Sequence, residues 1–194
     1  MLKWKKVVTS GEKWLTSAPI FRQEDRMFSL KPGQGMVRMT KAFRGRFDCK
    51  VDQKGRFIIP SSLRDCISKK KLEFVVTNSL SNNRRCLDLY HISDWEKLEQ
   101  KISLMPSLKK EVQIYQRFYL SGGQFLTADG QGRINLPPVL RKFASVENQV
   151  VLVGMGSKIE IWETQAWSEL QSQMIENFED VVAVISEFEQ GIEL

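Results

Sequence analysis

The chain has 194 residues, 42% hydrophobic and 27% charged, with a formal net charge of +6. That length can bury one core or two small fused ones, and the composition is that of an ordinary water-soluble chain. No apolar run approaches the roughly 18 residues of a membrane-crossing helix, no signal-peptide stretch follows the first lysines, and three cysteines (Cys49, Cys66, Cys86) lack Cys-x-x-Cys spacing, so a cytoplasmic chain with reduced thiols is expected.

In chain order, residues 1–41 form an extension without a clear period, containing Trp4, Trp14 and a Pro32-Gly33-Gln34-Gly35 turn. A first unit spans 42–103. Phe47-Asp-Cys49-Lys-Val51 alternates apolar and polar, as a half-buried strand does. Asp52-Gln-Lys54-Gly55-Arg56 then supplies a glycine where a tight turn needs positive φ. A second strand leaves from Arg56 and stops at Pro60, which opens a short helix ending near Leu63-Arg64. Two strands rich in Val, Ile and Phe follow, around Phe74–Thr77 and Leu87–Tyr90. Ser93-Asp94-Trp95-Glu96 reads as a capping box with Ser93 as the cap. A linker helix falls within 104–123, capped by Ser107, with Leu108, Val112, Tyr115 and Tyr119 on one packing face and Gly122-Gly123 at its end.

The second unit, 124–175, repeats the first. Asp129-Gly-Gln131-Gly132-Arg133 and Pro137-Pro-Val-Leu140-Arg141 stand 77 residues after their counterparts. Phe74–Thr77 matches Val151–Gly154 at the same offset. Leu87–Tyr90, Trp95 and Leu98 match Ile159–Trp162, Trp167 and Leu170 at an offset of 72, and the five-residue difference reads as a longer loop from Ser79 to Arg85 in the first copy. Thr164 takes the place of the Ser93 cap. A repeat of loop, strands and helix in one order sets the architecture, here two similar turns related by a pseudo-two-fold axis. Residues 176–194 form an acidic tail helix.

Charge is uneven. Residues 1–40 carry 8 basic and 3 acidic groups, residues 41–120 carry 17 and 9, and residues 121–194 carry 4 and 11. A basic first half suits a polyanion, and the acidic tail suits solvent or a basic neighbour. The basic excess coincides with the Lys54-Gly55-Arg56 turn. Asp and Arg four residues apart across a turn can pair by a bidentate charge-assisted contact. Asp52–Arg56 and Asp129–Arg133 therefore read as struts that hold hairpins, or as holders of basic groups that meet DNA, with Arg56, Lys54 and Lys50 facing it. The second turn lacks the lysine and lies in the acidic half, so for Arg133 structural duty weighs at least as much as DNA contact.

Nothing here asks for catalysis, a metal or a cofactor. His91 is the single histidine, where a zinc or nucleophile site wants more partners. No Gly-x-x-x-x-Gly-Lys-Ser/Thr run is present, and Gly154-x-Gly156 is too short to bind a nucleotide. Trp95, Trp162 and Trp167 read as core or interface anchors.

Ala42-Phe43-Arg44-Gly45-Arg46, followed by Asp52–Arg64 and Asp129–Arg141, resembles the MraZ family over about residues 42–175. The resemblance implies a mixed α/β, mainly β fold of two pseudo-symmetric swapped-hairpin AbrB-like units with short helices, assembled as a ring-shaped homo-oligomer, commonly an octamer or dodecamer. It implies a nucleoid-associated transcriptional regulator of the division and cell-wall gene cluster that binds short direct repeats of double-stranded DNA upstream of its own operon. Lys54 and Arg56 carry over as DNA contacts, with Arg44 and Arg46 as secondary candidates. Such chains usually begin near the Phe-Arg-Gly motif, so residues 1–41 read as a disordered basic arm or as sequence preceding a true start at Met36 or Met39. The competing expectation is an oligomeric, antitoxin-like protein-interaction module that uses its acidic tail.

Overall fold

The computed structural model describes residues 42–67 and 72–190. The readings of residues 1–41 lie outside them. The first unit supplies β1 (Arg46–Lys50), β2 (Arg56–Ile58), α1 (Ser61–Arg64), β3 (Glu73–Ser81), β4 (Arg84–His91) and α2 (Ile92–Ser103). Then come α3 (Lys110–Tyr115) and a π-helical turn, Gln116–Leu120. The second unit supplies β5 (Gln124–Thr127), β6 (Arg133–Asn135), α4 (Pro138–Phe143), β7 (Gln149–Gly154), β8 (Lys158–Trp162) and α5 (Thr164–Glu176), before α6 (Phe178–Gln190). The result is mixed α/β, mainly antiparallel sheet with short helices.

The two units exchange their first strands. Six strands form one antiparallel sheet in the order β1-β7-β8-β4-β3-β5, and β2 pairs with β6 in a separate ladder. Replacing each strand by its counterpart reverses the order, which is the signature of a two-fold axis inside one chain. The axis passes where a residue faces its own counterpart: Asp88 opposite Glu160, and Phe57 opposite Ile134. The sequence match between β3 and β7 needs a correction of one residue. With β4 and β8 fixed at 72, the observed ladders equate Val75 with Val151, an offset of 76 rather than 77. Val150-Val151-Leu152-Val153 is apolar throughout, so alternation gives that strand no phase to align on.

The corrected register explains the packing. On one face of the sheet Phe74 and Val76 meet Val150 and Leu152, and the β2–β6 ladder closes over them with Phe57, Ile59, Leu63, Ile134, Leu136 and Leu140. On the other face Val75, Tyr90 and Trp95 form one cluster and their counterparts Val151, Trp162 and Trp167 another. The tryptophans are therefore core anchors, as expected. Fully burying side chains of this size contributes about 1.5–3 kcal/mol each.

Several local expectations change. The first copy's extra residues are not a loop: β3 and β4 run on to a two-residue turn in which Asn82 and Asn83 both take positive φ, a conformation asparagine tolerates. His91, not Ser93, caps α2, its Nδ1 accepting from the Ser93 amide at 3.3 Å. Glu163, not Thr164, caps α5, because its longer carboxylate reaches the amides of both Gln165 and Ala166. The linker is broken into α3 and the π-helical turn, and no Ser107 cap forms; Lys109 precedes the helix without a side-chain bond. Of its expected packing face, Tyr119 is buried while Leu108 is exposed. Tyr119 fastens the linker to the axis: its hydroxyl donates to Asp88, Tyr90 Oη lies 2.8 Å away, and Thr77 Oγ1 donates to its carbonyl at 2.5 Å. Lys158 bridges the facing carboxylates, at 2.9 Å from Asp88 and 3.1 Å from Glu160. Burial alone would lower the Lys158 pKa, but these two carboxylates hold it above the usual lysine value.

Candidate nucleic-acid interface

The Asp-x-x-x-Arg turns are the same object built twice. In the first, Asp52 Oδ1 accepts from the Lys54 and Arg56 amides, both at 2.9 Å. Asp52 Oδ2 takes Arg56 Nε and Nη2, each at 2.7 Å. In the second, Asp129 Oδ1 accepts from the Gln131 amide at 2.9 Å and the Arg133 amide at 3.0 Å, and Oδ2 takes Arg133 Nε at 2.7 Å. In the first turn the expected bidentate contact is made by two guanidinium nitrogens on one carboxylate oxygen. One carboxylate oxygen holds the guanidinium because the other is occupied by the turn's own backbone. Glycine at the fourth position is required, with φ +84 at Gly55 and +77 at Gly132.

Both carboxylates are held below the usual aspartate range. For Asp52 the Arg56 amide is the largest cause, followed among the lowering ones by the Arg56 guanidinium. For Asp129 the Arg133 amide leads and its guanidinium comes second. The pairs thus stay ionised, and each arginine is fixed in aim rather than free to search.

The two turns lie side by side. The Ile59 amide donates to the Gly132 carbonyl at 3.0 Å, and the Leu136 amide donates to the Gly55 carbonyl at 2.9 Å. Each glycine also carries the other unit's helix arginine. A Cβ on Gly55 would lie 2.4 Å from Arg141 Nη1, and one on Gly132 would lie 2.7 Å from Arg64 Cδ. Arg64 and Arg141 were visible in the repeat, at the same offset as the turn residues, but their duty was not. Their Nε atoms are buried without a hydrogen-bond partner. A cationic side chain of the second unit thereby stands over the first unit's Lys54-Gly55-Arg56 segment.

Of the other candidates, Lys54 and Lys50 are exposed on and just before the first turn. Arg44 and Arg46 are exposed too, but Arg46 opens β1, roughly 13 Å of extended chain before Lys50, and Arg44 precedes it. Arg46 reaches toward α5, donating to Gln171 at 3.1 Å. Lys50, Lys54 and Arg56 thus lie on or just before the first turn, and Arg44 and Arg46 lie at or before the other end of β1. Arg133 stands on the neighbouring turn, without a lysine beside it.

The Cys86 thiol is pushed up to about 12, chiefly by burial and then by Asp88, and burial likewise raises Cys49, so neither presents a thiolate. Among the described residues no His/Cys/Asp/Glu group could hold a metal ion, and no helix is long and apolar enough to cross a membrane.

A family model described as "MraZ protein, putative antitoxin-like" matches residues 42–118 and again residues 119–184. The chain belongs to the MraZ family. The double match reproduces the repeat, and MraZ is a regulatory, antitoxin-like family rather than one of enzymes. The solution structure of PHS018 from Pyrococcus horikoshii also matches, at 13% identity and a TM-score of 0.31, over 62% of this chain and 95% of that one. A likeness at that level decides neither fold nor function.

Proposed function

We propose that this MraZ-family chain is a sequence-specific DNA-binding transcriptional regulator that works as a ring-shaped oligomer in the nucleoid. Its targets are short direct repeats of double-stranded DNA upstream of its own operon, in the division and cell-wall gene cluster. The observation that carries the reading is the first turn: an exposed Lys54 and a partly exposed Arg56 stand on a loop held by Asp52, with the exposed Lys50 just before it. A preordered cationic hairpin tip loses little entropy on meeting phosphates or guanine edges, and β elements elsewhere read the major groove. A single turn makes few contacts. Several turns on one assembly engage spaced repeats together, and effective concentration supplies the avidity.

The test is a mobility-shift titration on the upstream DNA against a scrambled control, across a salt series. A specific shift that weakens steeply with salt is expected. Arg56→Ala should weaken it by about 1–3 kcal/mol per engaged subunit. Asp52→Ala separates strut from contact: it should loosen the turn and weaken binding while the fold survives. Equal, feeble binding to both DNAs would overturn the reading.

A second reading has one observation in its favour. Helix α6 leaves Phe178, Val181, Val182 and Ile185 exposed, which suits an antitoxin-like module that holds a protein partner. A partner that co-purifies through the tail, with no specific DNA shift, would put this reading first.

A further inference from the structure

The segments that follow the two units both leave apolar side chains exposed. Each stands in the same place under the pseudo-two-fold: α3 comes after α2, and α6 comes after α5. Both are apolar and both are exposed. No residue of α3 is buried, and Leu104 and Leu108 before it are 86% and 92% exposed. Every residue of α6 from Phe178 to Ser186 is exposed, with Phe178, Val181, Val182 and Ile185 at the i, i+3, i+4, i+7 spacing of one stripe. Contiguous apolar surface of this kind marks a contact site.

Their charges are opposite. Residues 104–120 carry Lys109, Lys110 and Arg117 against Glu111. Residues 176–190 carry Glu176, Glu179, Asp180, Glu187 and Glu189 and no basic group. Two tails meeting symmetrically would set five acids against five. Tail meeting linker sets acid against base, with apolar stripes between them.

We infer that α6 of one copy packs on the Leu104–Arg117 segment of the next copy, head to tail. This rests on the reading that the chain self-associates and names the surface that does it. Such a contact is heterologous: however many copies have joined, an open assembly still offers one free tail at one end and one free linker surface at the other. It therefore propagates, and closes into a ring where the rotation per copy allows.

The experiment is charge reversal in the full-length chain, read as solution mass by light scattering over a dilution series. Glu179→Lys with Asp180→Lys, or Lys109→Glu with Lys110→Glu, should each raise the concentration at which the assembly dissociates by roughly tenfold or more. Combining all four should restore it, because only then do opposite charges face each other again. All four side chains are exposed, so circular dichroism and urea unfolding should match the wild type. A wild-type assembly whose mass ignores the reversals overturns this interface and leaves the ring reading standing. A pair of reversals that the opposing pair does not rescue also overturns it, and directs the tail to a different protein. A monomeric wild type overturns both the interface and the ring.

Discussion

The two turns share their geometry and differ in their surroundings. Asp52 and Asp129 each hold two backbone amides on one oxygen and an arginine on the other, with distances that agree to within 0.1 Å in the bonds they share. What they do not share is Lys54, replaced by Gln131, and the charge of the half in which each sits. The shared part is what the fold needs. The unshared part is where function should be sought. The doubled motif alone therefore argues for a strut, and the lysine beside one copy argues for a contact.

The largest expected effect would break the two turns together. Phe57 and Ile134 face each other on the axis and are buried to within 2% of completely. Phe57→Ala should cost about 3–5 kcal/mol and Ile134→Ala about 2–5 kcal/mol in urea unfolding. Each should loosen both turns, because one ladder carries both. Loss confined to the mutated unit would mean that the turns are independent after all.

The glycines come next. Gly55→Ala and Gly132→Ala both force positive φ on a side chain and both collide with the opposite unit's arginine, so each should cost about 1–3 kcal/mol. Gly130→Ala, with nothing within 4 Å of the new Cβ, should stay within about 0.5 kcal/mol of the wild type. Equal costs at the three positions would remove Arg64 and Arg141 from the account. A smaller effect transplants the difference between the turns: Gln131→Lys should steepen the salt dependence of DNA binding by about one ion per engaged turn. No change would mean that the second turn faces away from DNA.

Much of this was legible in the sequence because the cues are local. A glycine at the fourth position of each motif, a proline ending each short strand and a tryptophan in each closing helix are patterns of neighbouring residues. The exchange of first strands was not legible from pattern, since nothing within Phe47–Val51 says that its partner is β7 rather than β3. The one-residue slip in aligning β7 followed from a strand that is apolar on both faces. The caps at His91 and Glu163 were missed because Ser93 and Thr164 are commoner cap residues, while side-chain reach decides the matter. The duty of Arg64 and Arg141 appears only when two distant turns are laid together.

The smallest expected effect concerns pH. Both aspartates have folded-state pKa values below the ordinary 3.8, so each binds protons less readily folded than unfolded. Their stabilisation is complete above the unfolded value and disappears as pH falls through the folded one. The unfolding-midpoint gap between wild type and Asp52→Asn, and likewise Asp129→Asn, should therefore be constant at neutral pH and close below about pH 4. Both groups are exposed, so the gaps should be modest. The double variant is the sharper measurement. Each turn donates or accepts a hydrogen bond across the ladder, at Ile59–Gly132 and Leu136–Gly55, so loosening one already loosens the other. The double variant should then lose less than the sum of the singles. Strict additivity would show two struts that merely sit next to each other, and the first turn's rigidity would have to come from Asp52 alone.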